Sequence, residues 1–288
     1  MTKVFRHAGP IALVLAVVVV VWYAGAVWLN WDVTANLGDD DATSWDILAG
    51  TMQQGRPLLP APHQLAAELY TSVFEHAIDS NKSLIYHAGV TASAACFGFL
   101  IALALGVALA VGIVHVRTLD RSLMLWIITS QTIPVLAIAP MVVVVLGNIG
   151  FTGLLPKSLI AGYLSFFPIV TGMVKGLRSP DPMQRDLMRT YSATGAQTFS
   201  MLRWPASMAF LFPSLKVAAT LSLVGAIVAE LPTGAQAGLG ARLLSGSYYG
   251  QTLQIWAALF MAAFLAMLAV AAVDLAQLAL VRRRGGRL

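Results

Sequence analysis

The chain has 288 residues, of which 58% are hydrophobic and only 11% charged, with a net charge of +5 and a mean hydropathy of +0.77. Soluble domains carry about 25% charged residues, so this composition excludes an ordinary soluble globule, a disordered chain and a disulfide scaffold. Unbroken apolar runs also exclude an outer-membrane barrel, whose strands alternate over about ten residues, and leave an all-α integral membrane protein.

Six runs are expected to cross the membrane: 10–29, 88–114, 122–146, 158–174, 206–228 and 253–273. The first follows Lys3 and Arg6 and ends near Ala24-Gly25-Ala26, the outline of a secretory signal. Its length of 20 residues favours an uncleaved anchor. The segment 30–86 holds eight acids against Arg56 and Lys82, a net of −6, and is expected to face away from the cytoplasm. Within it Leu59-Pro60-Ala61-Pro62 forms a turn, and 64–78 is amphipathic, with Leu65, Leu69, Val73 and Ala77 on one side. That helix either caps the bundle at the interface or presents a surface to an external protein.

Along the second span Ala94, Gly98, Ala102, Gly106 and Ala110 recur every fourth residue, a packing face that lets another backbone approach. The partner is either a helix of this chain or a second subunit. The third span carries Pro134 and Pro140 beside Ser130, Gln131 and Thr132, a bend that either lines a path or is satisfied by a neighbouring helix. The fourth is short and contains Pro168. It is retained because without it the basic stretch Lys175 to Arg203 falls on the wrong side of the positive-inside rule.

The loop 175–205 is read as cytoplasmic. Asp181 followed by Pro182 is a helix start, and Gly195 its matching stop. Between them Leu187, Met188 and Tyr191 share a face, with Arg185 and Arg189 beside it. Such a helix suits a groove on another protein, or lies on the anionic inner leaflet. In and beside the last two spans, Lys216 either snorkels or forms an internal ion pair, Glu230 is an outer gate or an interfacial anchor, and Asp274 meets the basic tail. Trp204, Tyr248, Tyr249 and Trp256 read as aromatic-belt anchors. Thirteen of the eighteen bases gather at the inner ends of spans, as orientation markers and not as a nucleic-acid footprint.

No phosphate-cradling GxxxxGK[ST] is present, the five histidines show no metal-ligand spacing, and no nucleophile has a base nearby in sequence. Neither a catalytic residue nor a metal site is expected.

The blocks QTIPVLAIAPMVVVVLG (131–147), FFPIVTGMVKGLRSPDP (166–182), PSLKVAATLSLVGAIVAE (213–230) and GLG (238–240), with LPAP (59–62) ahead of them, resemble the permease subunits of ATP-binding-cassette importers. The group is the binding-protein-dependent one of taurine, alkanesulfonate, nitrate and thiamine-precursor systems. The resemblance implies the type I importer permease fold, with an outer-face amphipathic segment and a cytoplasmic coupling helix. ATP and Mg would sit on a cytoplasmic ATPase partner, and no cofactor on this chain. Its other partners would be a second permease chain, identical or related, and an external solute-binding protein. The place would be the bacterial inner membrane, with both termini cytoplasmic.

Carried over from the family's coupling loop, Ala193, Gly195 and Ala196 match its alanine and glycine positions, and Pro205 the proline that opens the fifth span. Arg189, Thr190 and Tyr191 replace the family's Glu-Ala-Ala, and the stretch from Gly195 to Pro205 is shorter by nearly a helical turn. Gln131, Thr132, Tyr163, Thr220 and Glu230 are the polar residues expected along a translocation path. The alternatives are an ion-coupled secondary carrier, for which neither an inverted repeat nor a midplane acid pair is found, and a membrane scaffold or receptor subunit.

Overall fold

The computed structural model describes residues 2–37, 43–232 and 235–283, with side chains from residue 9 to residue 282. Expectations placed on Asp39, Asp40, Asp41, Arg284 and Arg287, and on the side chains of Lys3, Arg6 and Arg283, lie outside the described residues.

Every regular element among these residues is helical. In chain order they are α1 (Thr2–Leu37), α2 (Ser44–Gln53), α3 (Pro62–Tyr70), α4 (Leu84–His115), α5 (Arg117–Ser130), α6 (Val135–Asn148), α7 (Leu154–Arg178), α8 (Pro182–Thr190), α9 (Gly195–Thr198), α10 (Trp204–Glu230), α11 (Leu239–Tyr248) and α12 (Thr252–Arg283). Single π turns, Thr71–Glu75 and Phe199–Arg203, extend α3 and join α9 to α10. The second ends just before Pro205, whose missing amide leaves a helix one donor short.

Among the described residues five helices are long and apolar enough to cross a membrane: Gly9–Leu37, Leu84–His115, Leu154–Arg178, Gly195–Glu230 and Thr252–Arg282. A sixth crossing is made only if α5 and α6 count together. They are two helices meeting at 99°, with the break at Gln131 to Pro134. Pro134 explains the break, because it cannot donate and holds the residue before it away from helical backbone.

By packing, the chain divides into two compact units. The first comprises residues up to Tyr86 together with Arg242–Met261. Its organising residue is Asn30, wholly buried on α1. The Asn30 amide donates to Ala26 O and Leu59 O, both at 2.8 Å, and accepts from Leu58 N at 2.6 Å. Trp22, two turns earlier, donates from Nε1 to Pro60 O at 3.0 Å and packs its rings on Trp256 and Phe260. The Leu59-Pro60 turn is therefore clasped by α1. Of the amphipathic stretch, Leu65 is buried and Leu69 and Val73 half-buried, whereas Ala77 is exposed beyond the π turn.

The second unit comprises His87–Ala241 with the chain from Ala262 onward. Its centre is the pair α7 and α10, whose backbones approach closely at small residues. A Cβ on Gly225 would lie 2.7 Å from Ala161 Cα, and one on Gly176 2.8 Å from Ser207 Cα. The small-residue stripe of α4 is buried from Ala94 to Ala110. Its partner is α7 of the same chain: a Cβ on Gly98 would meet Ser158 O at 2.5 Å, and one on Gly106 would meet Ile169 Cγ2 at 2.9 Å. Ile113, Ile169, Met173, Leu177, Leu211 and Phe212 complete the apolar core.

Candidate functional site

Two places in the second unit concentrate the polar residues singled out above. The first is the segment between α7 and α10. Asp181 and Pro182 open α8 as expected, and Gln184 Oε1 reaches back to accept from the Asp181 amide at 3.1 Å. The expected stop at Gly195 is corrected by the structure. Helix α8 ends at Thr190, and Ser192 takes the left-handed conformation at φ +51°. Ala193 N then donates to Met188 O at 3.0 Å and Ser192 N to Arg189 O at 2.8 Å, the two bonds of a Schellman ending with serine in glycine's usual place. Gly195 is instead the first residue of α9, capped by Thr194. Gln197 N donates to Thr194 Oγ1 at 3.2 Å, and Thr194 N to Gln197 Oε1 at 2.8 Å. The Thr-x-x-Gln spacing of such a capping box was present in the sequence and marks a start, not a stop.

Helix α8 buries none of its residues. Met183, Leu187 and Tyr191, spaced by four, are 84%, 55% and 77% exposed, so its apolar stripe points away from the rest of the chain. Met188 and Ala193 are half-buried; Gly195 and Ala196 are exposed. Sequence reasoning did not include Met183 in this face, although its spacing of four from Leu187 was a signal for it. A Cβ on Gly195 would meet nothing within 4 Å, so nothing within this chain requires glycine there.

The second place is Glu230, at the last position of α10 and wholly buried. The Thr91 hydroxyl on α4 donates to its carboxylate, 3.0 Å from one oxygen and 2.9 Å from the other, and Gly240 N donates at 2.9 Å. Lys157 Nζ, on the first turn of α7, lies 3.4 Å away and also donates to Ala237 O at 2.7 Å. Thr91 Oγ1 in turn accepts from Leu239 N at 2.8 Å, and His87 Nδ1 from Gly238 N at 3.0 Å. A single carboxylate thus holds the ends of three helices to the turn that opens α11. Full burial rules out the interfacial-anchor reading, since an anchor keeps its charge in the headgroup region. It also explains the GLG motif. Gly238, at φ +125°, lies so close to the carboxylate that any Cβ would collide with it, and a Cβ on Gly240 would strike Ile227 O.

The remaining path residues are dispersed. Gln131 and Thr132 are exposed in the break between α5 and α6, and the Tyr163 hydroxyl of α7 donates to Ser130 O at the edge of that break. Thr220 lies elsewhere, lining a crevice of about 360 Å³ with Met267 and Asp274 of α12. Lys216 pairs with Asp274, which selects the ion pair over snorkelling. Sequence reasoning had not identified Lys157, Thr91 or Asn30 as organising residues.

This helical arrangement agrees with a family model described as the inner membrane component of binding-protein-dependent transport systems, which matches residues 101–286. The chain belongs to this family. It is 30% identical over 233 residues to the formylaminopyrimidine transport permease protein ThiX of Halalkalibacterium halodurans, covering 80% of this chain and 86% of that one. Identity to the riboflavin transport system permease protein RibX of Chloroflexus aurantiacus is 30% over 198 residues, 67% and 69% of the two chains. A putative aliphatic sulfonates transport permease protein, SsuC of Bacillus subtilis, is 25% identical over 83% of each. The protein is therefore a multi-pass inner-membrane permease subunit of an ATP-binding-cassette importer of small solutes, with the type I permease fold.

Proposed function

We propose that this permease is driven through α8, which docks by Met183, Leu187 and Tyr191 into a groove of a cytoplasmic ATPase, with Met188, Ala193, Gly195 and Ala196 at the rim of the contact. The observation that carries the proposal is the direction of the apolar stripe: three large side chains exposed on the side away from their own chain, which an aqueous helix end would not retain without a partner. Segment 175–205 and both termini are then cytoplasmic, and 30–86 is extracytoplasmic, where it meets a solute-binding protein. ATP and Mg belong to the ATPase, and with them all catalysis; a second permease chain, identical or related, completes the pathway. Closure of the ATPases moves α8 and switches access from one side to the other.

The solute is a small, uncharged or weakly charged organic molecule. Two relatives carry names of nitrogen heterocycles, and Lys157 and Lys216 are each matched by a carboxylate of this chain and so are not offered to an anion. Gln131, Thr132, Tyr163 and Thr220 are the side chains proposed to meet it.

The deciding experiment places a photo-crosslinking amino acid at position 187 in the native host and irradiates intact membranes. An adduct with an ATP-binding-cassette ATPase is the expected product. Adducts with lipid alone, in cells that still import the solute, would overturn the docking.

A further inference from the structure

Helix α8 exposes both sides: opposite the apolar stripe, Arg185, Asp186 and Arg189 are exposed as well. Arg185, Asp186 and Arg189, on the side opposite Leu187, line a cavity of about 570 Å³. The far wall is His115, the last residue of α4, and Arg203, the last residue of the π turn that enters α10. Three guanidiniums thus meet one carboxylate. Asp186 lies 3.4 Å from Arg189, and neither Arg185 nor Arg203 has a carboxylate within ion-pair distance among the described residues. His115 donates from Nδ1 to Val111 O at 2.8 Å, since that carbonyl can only accept, and its ring edge-packs on Phe199 beside Trp204.

Forked guanidiniums converging on a space with too little negative charge are the donor set that tetrahedral phosphate oxygens satisfy. The site also lies where two apolar spans end, Leu84–His115 and Gly195–Glu230, with the His115 imidazole in its wall and Phe199 and Trp204 packed in turn behind that ring. That is the depth at which headgroup phosphates sit. The volume exceeds what a lone phosphate needs and leaves room for the glycerol attached to it. We propose that this cavity holds the phosphate of an anionic phospholipid headgroup, wedged between α8 and the span ends. Ala193 and Gly195, at the rim of the proposed ATPase contact, also line the cavity, so lipid and ATPase adjoin there, while the arginines opposite Leu187 hold the phosphate.

The test uses the purified importer complex in detergent, with native mass spectrometry after addition of phosphatidylglycerol or phosphatidylcholine. The wild type is expected to retain phosphatidylglycerol selectively. The double substitution Arg185→Gln and Arg203→Gln should cut that retention about tenfold, as expected for two lost charge-assisted contacts. Arg121→Gln, which removes a charge outside the cavity, should leave it unchanged. Equal loss in both variants would mean general surface charge and overturn the site. Equal retention of phosphatidylcholine would do the same, as would displacement by millimolar inorganic phosphate, which would assign the cavity to the free ion. A photo-crosslinker at position 185 that labels only acidic segments of the ATPase would give the cavity to that protein and also overturn the proposal. Thermal unfolding of each variant alongside separates lost binding from lost folding.

Discussion

The Thr91 hydroxyl donates to the Glu230 carboxylate across 139 residues of chain, and both side chains are wholly buried. This contact is one of several converging on a charge with no access to water, so its loss cannot be compensated by solvation.

Glu230→Gln removes the negative charge but leaves Lys157 almost buried beside it. Breaking a buried pair from one side costs about 3–5 kcal/mol. We expect a marked fall in the thermal midpoint of the purified complex, partly recovered when Lys157→Met is added. A double variant no more stable than Glu230→Gln alone would show that the two charges are not coupled.

Gly238→Ala and Gly195→Val should separate two reasons for a glycine. At 238 the positive φ and the adjoining carboxylate leave no room for a Cβ, so the alanine variant should reach the membrane in reduced amount or unfold early, as read by immunoblot and thermal shift.

At 195 the space is open. Gly195→Val should insert and unfold as wild type while uptake falls and the ATPase runs uncoupled, because the added bulk meets nothing of this chain within reach and projects at the proposed contact. Full uptake in that variant would remove Gly195 from the contact.

Asn30→Ala leaves Leu58 N and Leu59 O, both in the clasped turn, without the partner they now share. Each unsatisfied buried group costs about 1–3 kcal/mol. Limited proteolysis should then cut near the Leu59-Pro60 turn at protease levels that leave the wild type whole.

The α2 start carries a pH dependence. Hydrogen bonds from the Thr43 hydroxyl, and then from its backbone amide, hold the Asp46 carboxyl below the ordinary aspartate value, against a smaller opposing effect of burial. A lowered folded-state value means the stabilisation is present above the ordinary aspartate value and is lost as pH falls through the lowered one. Amide exchange at the first turn of α2, corrected for intrinsic rates, should therefore accelerate only in that acidic window. Asp46→Asn should abolish the pH dependence.

The spans were legible because twenty-residue apolar runs admit few other fates, and the start of α8 because Asp-Pro is a strong local signal. Its end was not, since Ser192 occupies the left-handed position that Gly195, three residues on, was expected to mark. Lys216 was visible as a charge within a span, and an internal ion pair was one reading; Asp274 was read as meeting the basic tail, and packing corrects that by setting it against Lys216. The Glu230 cluster was the least accessible. Its members come from α4, α7 and α10, separated by 73 and 139 residues, and Thr91 in an apolar run carries no signal of its own.

The break between α5 and α6 bears on how the protein is made. Each helix has 14 residues, about 21 Å at 1.5 Å per residue, short of the roughly 30 Å of hydrocarbon a lone segment must cross. The two meet at 99°, so neither extends the other as it leaves the insertion machinery. Pro134 makes the bend, and the Tyr163 hydroxyl that braces it through Ser130 O arrives only with α7. This stretch must therefore wait at the translocon or the membrane surface until synthesis has passed Tyr163, and a ribosome stalled just before α7 should leave residues 117–148 open to aqueous thiol reagents.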